Sequence, residues 1–113
     1  MFHGGALRAS LTKEYGLTID ALRELPAREA ADLVVWIPAG AALWRAVGGP
    51  AAWSDETRAL MDVEFQIRVL DWRMRGGKGK RPQPIKPPVY AHERRRADTK
   101  QARKAERFMR GQN

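Results

Sequence analysis

Apolar residues recur along this chain at intervals of three and four as far as Met74, and then give way to glycine, lysine and proline. That interval is the repeat of an α-helix. Leu7, Leu11 and Tyr15 stand at steps of four, and Gly16 follows them. Ala6 to Tyr15 is therefore predicted to be a short amphipathic helix closed by a C-terminal glycine. Leu17 to Leu22 reads equally as a brief extended piece or as a second helical turn. Pro26 suits the first turn of the next helix, where its missing N–H does no harm. Glu29 and Asp32 complement that helix's dipole. Ala30, Leu33, Trp36 and Ile37 form one face of it before Pro38 ends it. Ala41 to Val47 predicts a further short helix with Leu43, Ala46 and Val47 turned inward, stopped by Gly48-Gly49-Pro50.

The clearest helix follows. Ser54 is placed to cap it, with Asp55 and Glu56 in its first turn. Leu60, Val63, Ile67, Leu70 and Met74 repeat at three, four, three, four, with Phe65, Val69 and Trp72 as a neighbouring stripe. So wide an apolar arc predicts a helix buried in a bundle. The expectation is an all-α protein, with residues 1–75 forming a small bundle of about four helices. A Gly/Pro-rich linker at 76–90 and a basic C-terminal arm at 91–113 follow. From Gly76 to Pro88 nothing can form a core, and the prolines favour an extended, semi-rigid spacer. Ala91 to Arg110 has helical spacing, with Ala97, Gln101, Ala105 and Phe108 on one weak face.

Charge sharpens this division. Up to Trp72 there are 7 Lys and Arg against 10 Asp and Glu; from Arg73 onward there are 14 against 3. A mildly acidic body is thus joined to a strongly basic tail, which points to a negatively charged partner. A body of this size is expected to hold roughly 3–5 kcal/mol of stability. The chain has no cysteine, which removes disulfides, thiolate metal sites and a thiol nucleophile. The longest apolar run, Leu33 to Ile37, is far below the roughly 20 residues of a bilayer span. Met1 to Gly5 has no signal-peptide pattern. A soluble protein with no membrane partner is expected.

Several motifs invite chemistry and do not sustain it. Gly76-Gly77-Lys78-Gly79-Lys80-Arg81 is not a phosphate-binding loop: Met74 stands where the first glycine belongs, Arg81 replaces Ser/Thr, and a helix precedes it. His3 and His92 are isolated from other metal-ligand residues. Ser10 and Ser54 lack the context of a nucleophile. No catalytic residue, cofactor site or metal site is assigned, and the protein is expected not to be an enzyme. Trp36 and Trp72 lie on apolar faces and are read as core. Trp44 and Trp53 flank the Gly-Gly-Pro turn, either stapling it to the bundle or standing partly exposed as partner anchors. Lys78, Lys80 and Arg81 in the linker are candidate contacts for an acidic partner. So are Arg94, Arg95, Arg96, Lys100, Arg103, Lys104 and Arg107 in the arm, spread around a helical wheel. Nucleic acid and an acidic protein both satisfy such charge. Tyr90 and Phe108 are too few aromatics for base stacking.

The order of features resembles a family of short actinobacterial phage and prophage proteins, described as a domain of unknown function and found in tail gene clusters. The resemblance covers roughly residues 2 to 88. It is carried by Phe2-His3-Gly4-Gly5-Ala6-Leu7, Tyr15-Gly16-Leu17, Pro26 to Ile37, Ala42 to Gly49 and Trp53-Ser54. Gly76 to Pro82 with Pro84-Ile85 completes it. The spaced tryptophans and the glycine-lysine segment are its most specific parts, and the basic stretch after Tyr90 is less typical. The resemblance implies a tail-assembly chaperone. Such a protein acts in the cytoplasm of the bacterial host, binding the tape-measure protein or tail-tube subunits during tail morphogenesis. The alternatives are a small basic nucleic-acid-binding accessory protein and a structural component of the head–tail joint or tail.

Overall fold

A computed structural model describes residues 3–112 of the chain. Met1, Phe2 and Asn113, at the ends of the expected body and arm, lie outside the described residues. The protein is all-α. Its helices are α1 (Gly4–Tyr15), α2 (Ile19–Glu24), α3 (Ala27–Val35), α4 (Ala42–Val47), a 3-10 turn (Pro50–Ala52), α5 (Asp55–Met74) and α6 (Ala91–Gly111).

The core belongs to the first four helices. Leu11, Leu22, Ile37 and Leu43 are buried together. Leu7, Tyr15, Leu33, Val34 and Val47 pack around them. Helices this short are unstable alone, and specific hydrogen bonds tie them to one another. The Gly16 N–H donates to the Thr12 carbonyl at 3.0 Å, the single bond of an αL cap at a glycine with φ of 65°, and the Leu17 N–H reaches back to the Leu11 carbonyl at 3.3 Å. Residues 19–24 resolve the ambiguity left by their pattern: they form a helix, because the Thr18 hydroxyl accepts the Ala21 N–H. The Tyr15 hydroxyl donates to the Leu33 carbonyl at 2.8 Å and joins α1 to α3. Helix α4 has no side-chain cap of its own. Ser10, buried on α1, accepts the Leu43 N–H at 2.9 Å in its place.

Helix α5 departs from expectation. Ser54 caps it as predicted, accepting the Thr57 N–H at 3.1 Å. Its main apolar stripe, however, is not in the core. Leu60, Val63, Ile67, Leu70 and Met74 are all exposed, Ile67 by 61% and Met74 by 79%. The physical reason is that no helix covers them. The main helix contacts are α1 with α4, α4 with the 3-10 turn, α2 with α3, and α4 with α6; α5 is not among them. What α5 buries is the opposite face. Met61, Phe65, Arg68 and Trp72 are half-buried and Val69 is 4% exposed.

That face meets the segment read as a spacer. After Gly76-Gly77 the chain turns back along α5. Trp72 lies against Gly77, and Arg68 Nη2 donates to the Gln83 carbonyl at 2.9 Å. The Gly49 N–H then donates to the Pro88 carbonyl at 2.7 Å. The lengths allow this return. The 20 residues of α5 rise about 30 Å, and Gly77 to Pro88 can reach roughly 40 Å when extended. The linker is therefore the second limb of a hairpin, and it brings the start of α6 back to α4. There Gly48 and Gly49 have φ of 83° and 81°. A Cβ on Gly48 would strike the Val89 carbonyl, and one on Gly49 the Tyr90 ring. Glycine is required at both for the backbone angle and for the close approach.

The overall shape follows from these junctions. The radius of gyration is 20.6 Å, against about 13 Å for a compact domain of this length. The molecule measures 60 × 53 × 19 Å, a small body from which α5 and α6 project.

Candidate functional site

Two surfaces stand out, one on each projecting helix. On α5 the five exposed apolar side chains follow the alternation of three and four that defines the a and d positions of a heptad. At about 100° per residue they fall on one side of the helix, directly across from the Met61–Phe65–Val69–Trp72 face. Asp62, Val63, Gln66, Ile67 and Leu70 line a shallow depression on this side. Two ion pairs along the helix support it. Arg68 bridges Glu64 through Nε and through Nη2, the latter at 3.1 Å. Arg75 Nη2 lies 2.7 Å from the Asp71 carboxylate.

The second surface is α6. From His92 onward every described residue of this helix is exposed, and none of its charged side chains takes part in an ion pair among the described residues. Arg95, Arg96, Thr99, Lys100, Arg103, Lys104 and Arg107 line one furrow. The sequence reading spread these charges around the wheel. On the helix most of them share about half the circumference with Arg110, while the other half carries Ala97, Gln101, Ala102, Ala105, Phe108 and Met109. Arg94 falls on that other half.

The predicted contact residues thus separate into three places. Trp44 and Trp53 are at the body end, both half-buried. The Trp44 indole N–H donates to the Ile37 carbonyl at 2.8 Å, so Trp44 staples α4 to the end of α3. Lys78, Lys80 and Arg81 are exposed at the tip of the α5 hairpin, a helix length from where α6 begins. The arginines and lysines of α6 form the third group. Trp36, read as core, is 79% exposed beside Val35, at the end of α3 where Ile37 turns inward in its place. Trp72 is half-buried as part of the hairpin, with its indole Nε1 buried and without a partner. The α5 stripe was legible as apolar in the sequence but not as a surface. Its spacing was the signal that it could serve as one.

Among the described residues no group of three or more His, Cys, Asp or Glu side chains could hold a metal. No helix of the described residues is long and apolar enough to cross a membrane. Comparison with protein-family models, with curated proteins and with solved structures finds no match.

Proposed function

We propose that this protein is a tail-assembly chaperone that acts by binding alone, holding a helical segment of the tape-measure protein against α5. The observation that carries the reading is the open a/d stripe of Leu60, Val63, Ile67, Leu70 and Met74. A contiguous apolar surface of this kind on a folded chain marks a site of protein interaction. Alternation of three and four is the pattern that receives the knobs of another α-helix. Covering five such side chains from their present exposure yields on the order of 5–10 kcal/mol gross, part of which association itself consumes. Reversible binding of a partner helix is the expected result, as suits a chaperone that releases its client. The resemblance of residues 2–88 to tail-cluster proteins supplies the identity of the client.

The test is a titration of the full chain with a soluble tape-measure fragment from the same gene cluster. An Ile67→Glu/Leu70→Glu variant is titrated beside it. Both positions face solvent, so circular dichroism of the variant should match that of the parent. Binding by the parent and at least a hundredfold loss in the variant is the expected outcome. Equal binding by both would remove the stripe from the function, and no binding by the parent would remove the chaperone reading.

A further inference from the structure

We propose that α6 is a second and independent binding site, for the sugar–phosphate backbone of a nucleic-acid duplex. Charge alone does not choose between a nucleic acid and an acidic protein; the composition of the basic face does. Arg95, Arg96, Lys100, Arg103, Lys104 and Arg107 occupy it together with Thr99. No apolar or aromatic side chain is interleaved with them. A protein interface needs a desolvated apolar centre ringed by polar groups, and this face has none to offer. Binding of single strands relies on bases stacked on aromatic rings, and these too are missing from the face. Duplex binding asks for neither, because phosphate contacts from arginine and lysine dominate its affinity.

The geometry agrees with that choice. Among the described residues none of these cations forms an ion pair. Glu106 lies beside Arg103, Arg107 and Arg110, and one carboxylate among so many cations leaves the face strongly positive toward a ligand. Arginine offers a planar fork that matches phosphate oxygens. The helix is fixed only at its base, where Tyr90 packs on Gly49, and its sides are free. A helix about 10–12 Å across enters a major groove about 12 Å wide. Recognition by phosphate contacts is indifferent to base sequence. The site does not depend on the chaperone reading, since it uses no residue of the α5 stripe.

The experiment measures fluorescence anisotropy of a labelled random-sequence duplex with the full-length chain, between about 50 and 200 mM salt. Five to seven phosphate contacts give a slope of log K against log salt of roughly −4.5 to −6.3. Arg103→Gln/Lys104→Gln/Arg107→Gln should lower the magnitude of that slope by about 2.7 and weaken binding at least tenfold at low salt. Glutamine keeps good helix propensity, and circular dichroism verifies that α6 persists. Lys78→Gln/Lys80→Gln/Arg81→Gln removes the same charge at the hairpin tip and should change affinity less than threefold. Equal losses in the two triple variants would show that net charge, not the α6 face, does the binding. Absence of duplex binding, or equal affinity for polyglutamate carrying the same charge, would overturn the proposal outright.

Discussion

Leu11 on α1 and Ile67 on α5 belong to equally regular apolar repeats, yet Leu11 is fully buried and Ile67 is 61% exposed. The difference lies in what surrounds each helix. Helix α1 is short and packs on α4, and its side chains Ser10 and Tyr15 reach across to neighbouring elements. Without those contacts it would not persist, since nucleation is costly and short helices are marginal in water. Helix α5 carries more of its own support. It has 20 residues, a serine cap and acidic residues in the first turn. It also has two i,i+4 ion pairs, each contributing about 0.3–0.5 kcal/mol. Its second apolar face is covered by the returning linker. A helix equipped in this way can leave one face open. Apolar periodicity therefore states that a face is suited to being covered, and the length and local support of the helix decide whether the fold itself must cover it.

The sharpest break in that comparison comes from the body. Leu11→Ala should cost about 2–5 kcal/mol, the loss expected when a packed aliphatic site is emptied. In a core this small the loss is comparable to the whole stability. Chemical denaturation monitored by far-ultraviolet circular dichroism would show a lowered midpoint or a chain unfolded at the outset. A loss below half a kcal/mol would mean that the body is not centred on Leu11 and that the contrast with α5 is misplaced.

A smaller effect is expected where body and projections meet. Gly49→Ala puts a methyl group into the Tyr90 ring and forces an L-residue to a φ of 81°. Strain of about 1–3 kcal/mol follows. Release of the Pro88–Tyr90 contact relieves part of it. Hydrogen exchange should then rise at Gly49 and along residues 84–94, while the amides of α1 and α4 stay protected. Uniform loss of protection across the chain would show that the junction is part of the core and not a clamp on its edge.

Much of this architecture is legible in the sequence. The cap at Ser54, the stop at Gly48-Gly49, the C-terminal glycine at position 16 and the basic helix after Tyr90 all depend on local chemistry, which a sequence displays. What was not legible depends on partners far apart in the chain. Ser10 gave no sign that it would cap α4, because the Leu43 N–H it serves lies 33 residues away. The linker's composition excluded a core of its own but did not reveal that it would return along α5 to Trp72 and Arg68. Trp36 was misplaced for a similar reason. The turn before Pro38 sends Ile37 inward and leaves the indole outside, a choice between adjacent residues that a helical wheel cannot make. On α6 the sequence displays the number of charges, while their gathering onto one half of the helix depends on the step of about 100° between residues.

The smallest predicted effect tests the α5 stripe itself. Placed in a buried bundle, Ile67 would lose about 2–5 kcal/mol on truncation to alanine. At 61% exposure the side chain contributes little to the fold, and alanine has the better helix propensity. Ile67→Ala should therefore change the stability of the dilute chain by less than about 0.5 kcal/mol. If the proposed client binds at this stripe, the same substitution should weaken that binding, because the a and d knobs act only when a partner is present. Stability measured at several protein concentrations separates the alternatives. A near-zero change at every concentration shows that neither the fold nor a second copy covers the stripe. A cost that grows with concentration would mean that a second copy covers the stripe. A full core-sized cost at the lowest concentration would mean that α5 is covered from within the chain, and the contrast with α1 would be lost.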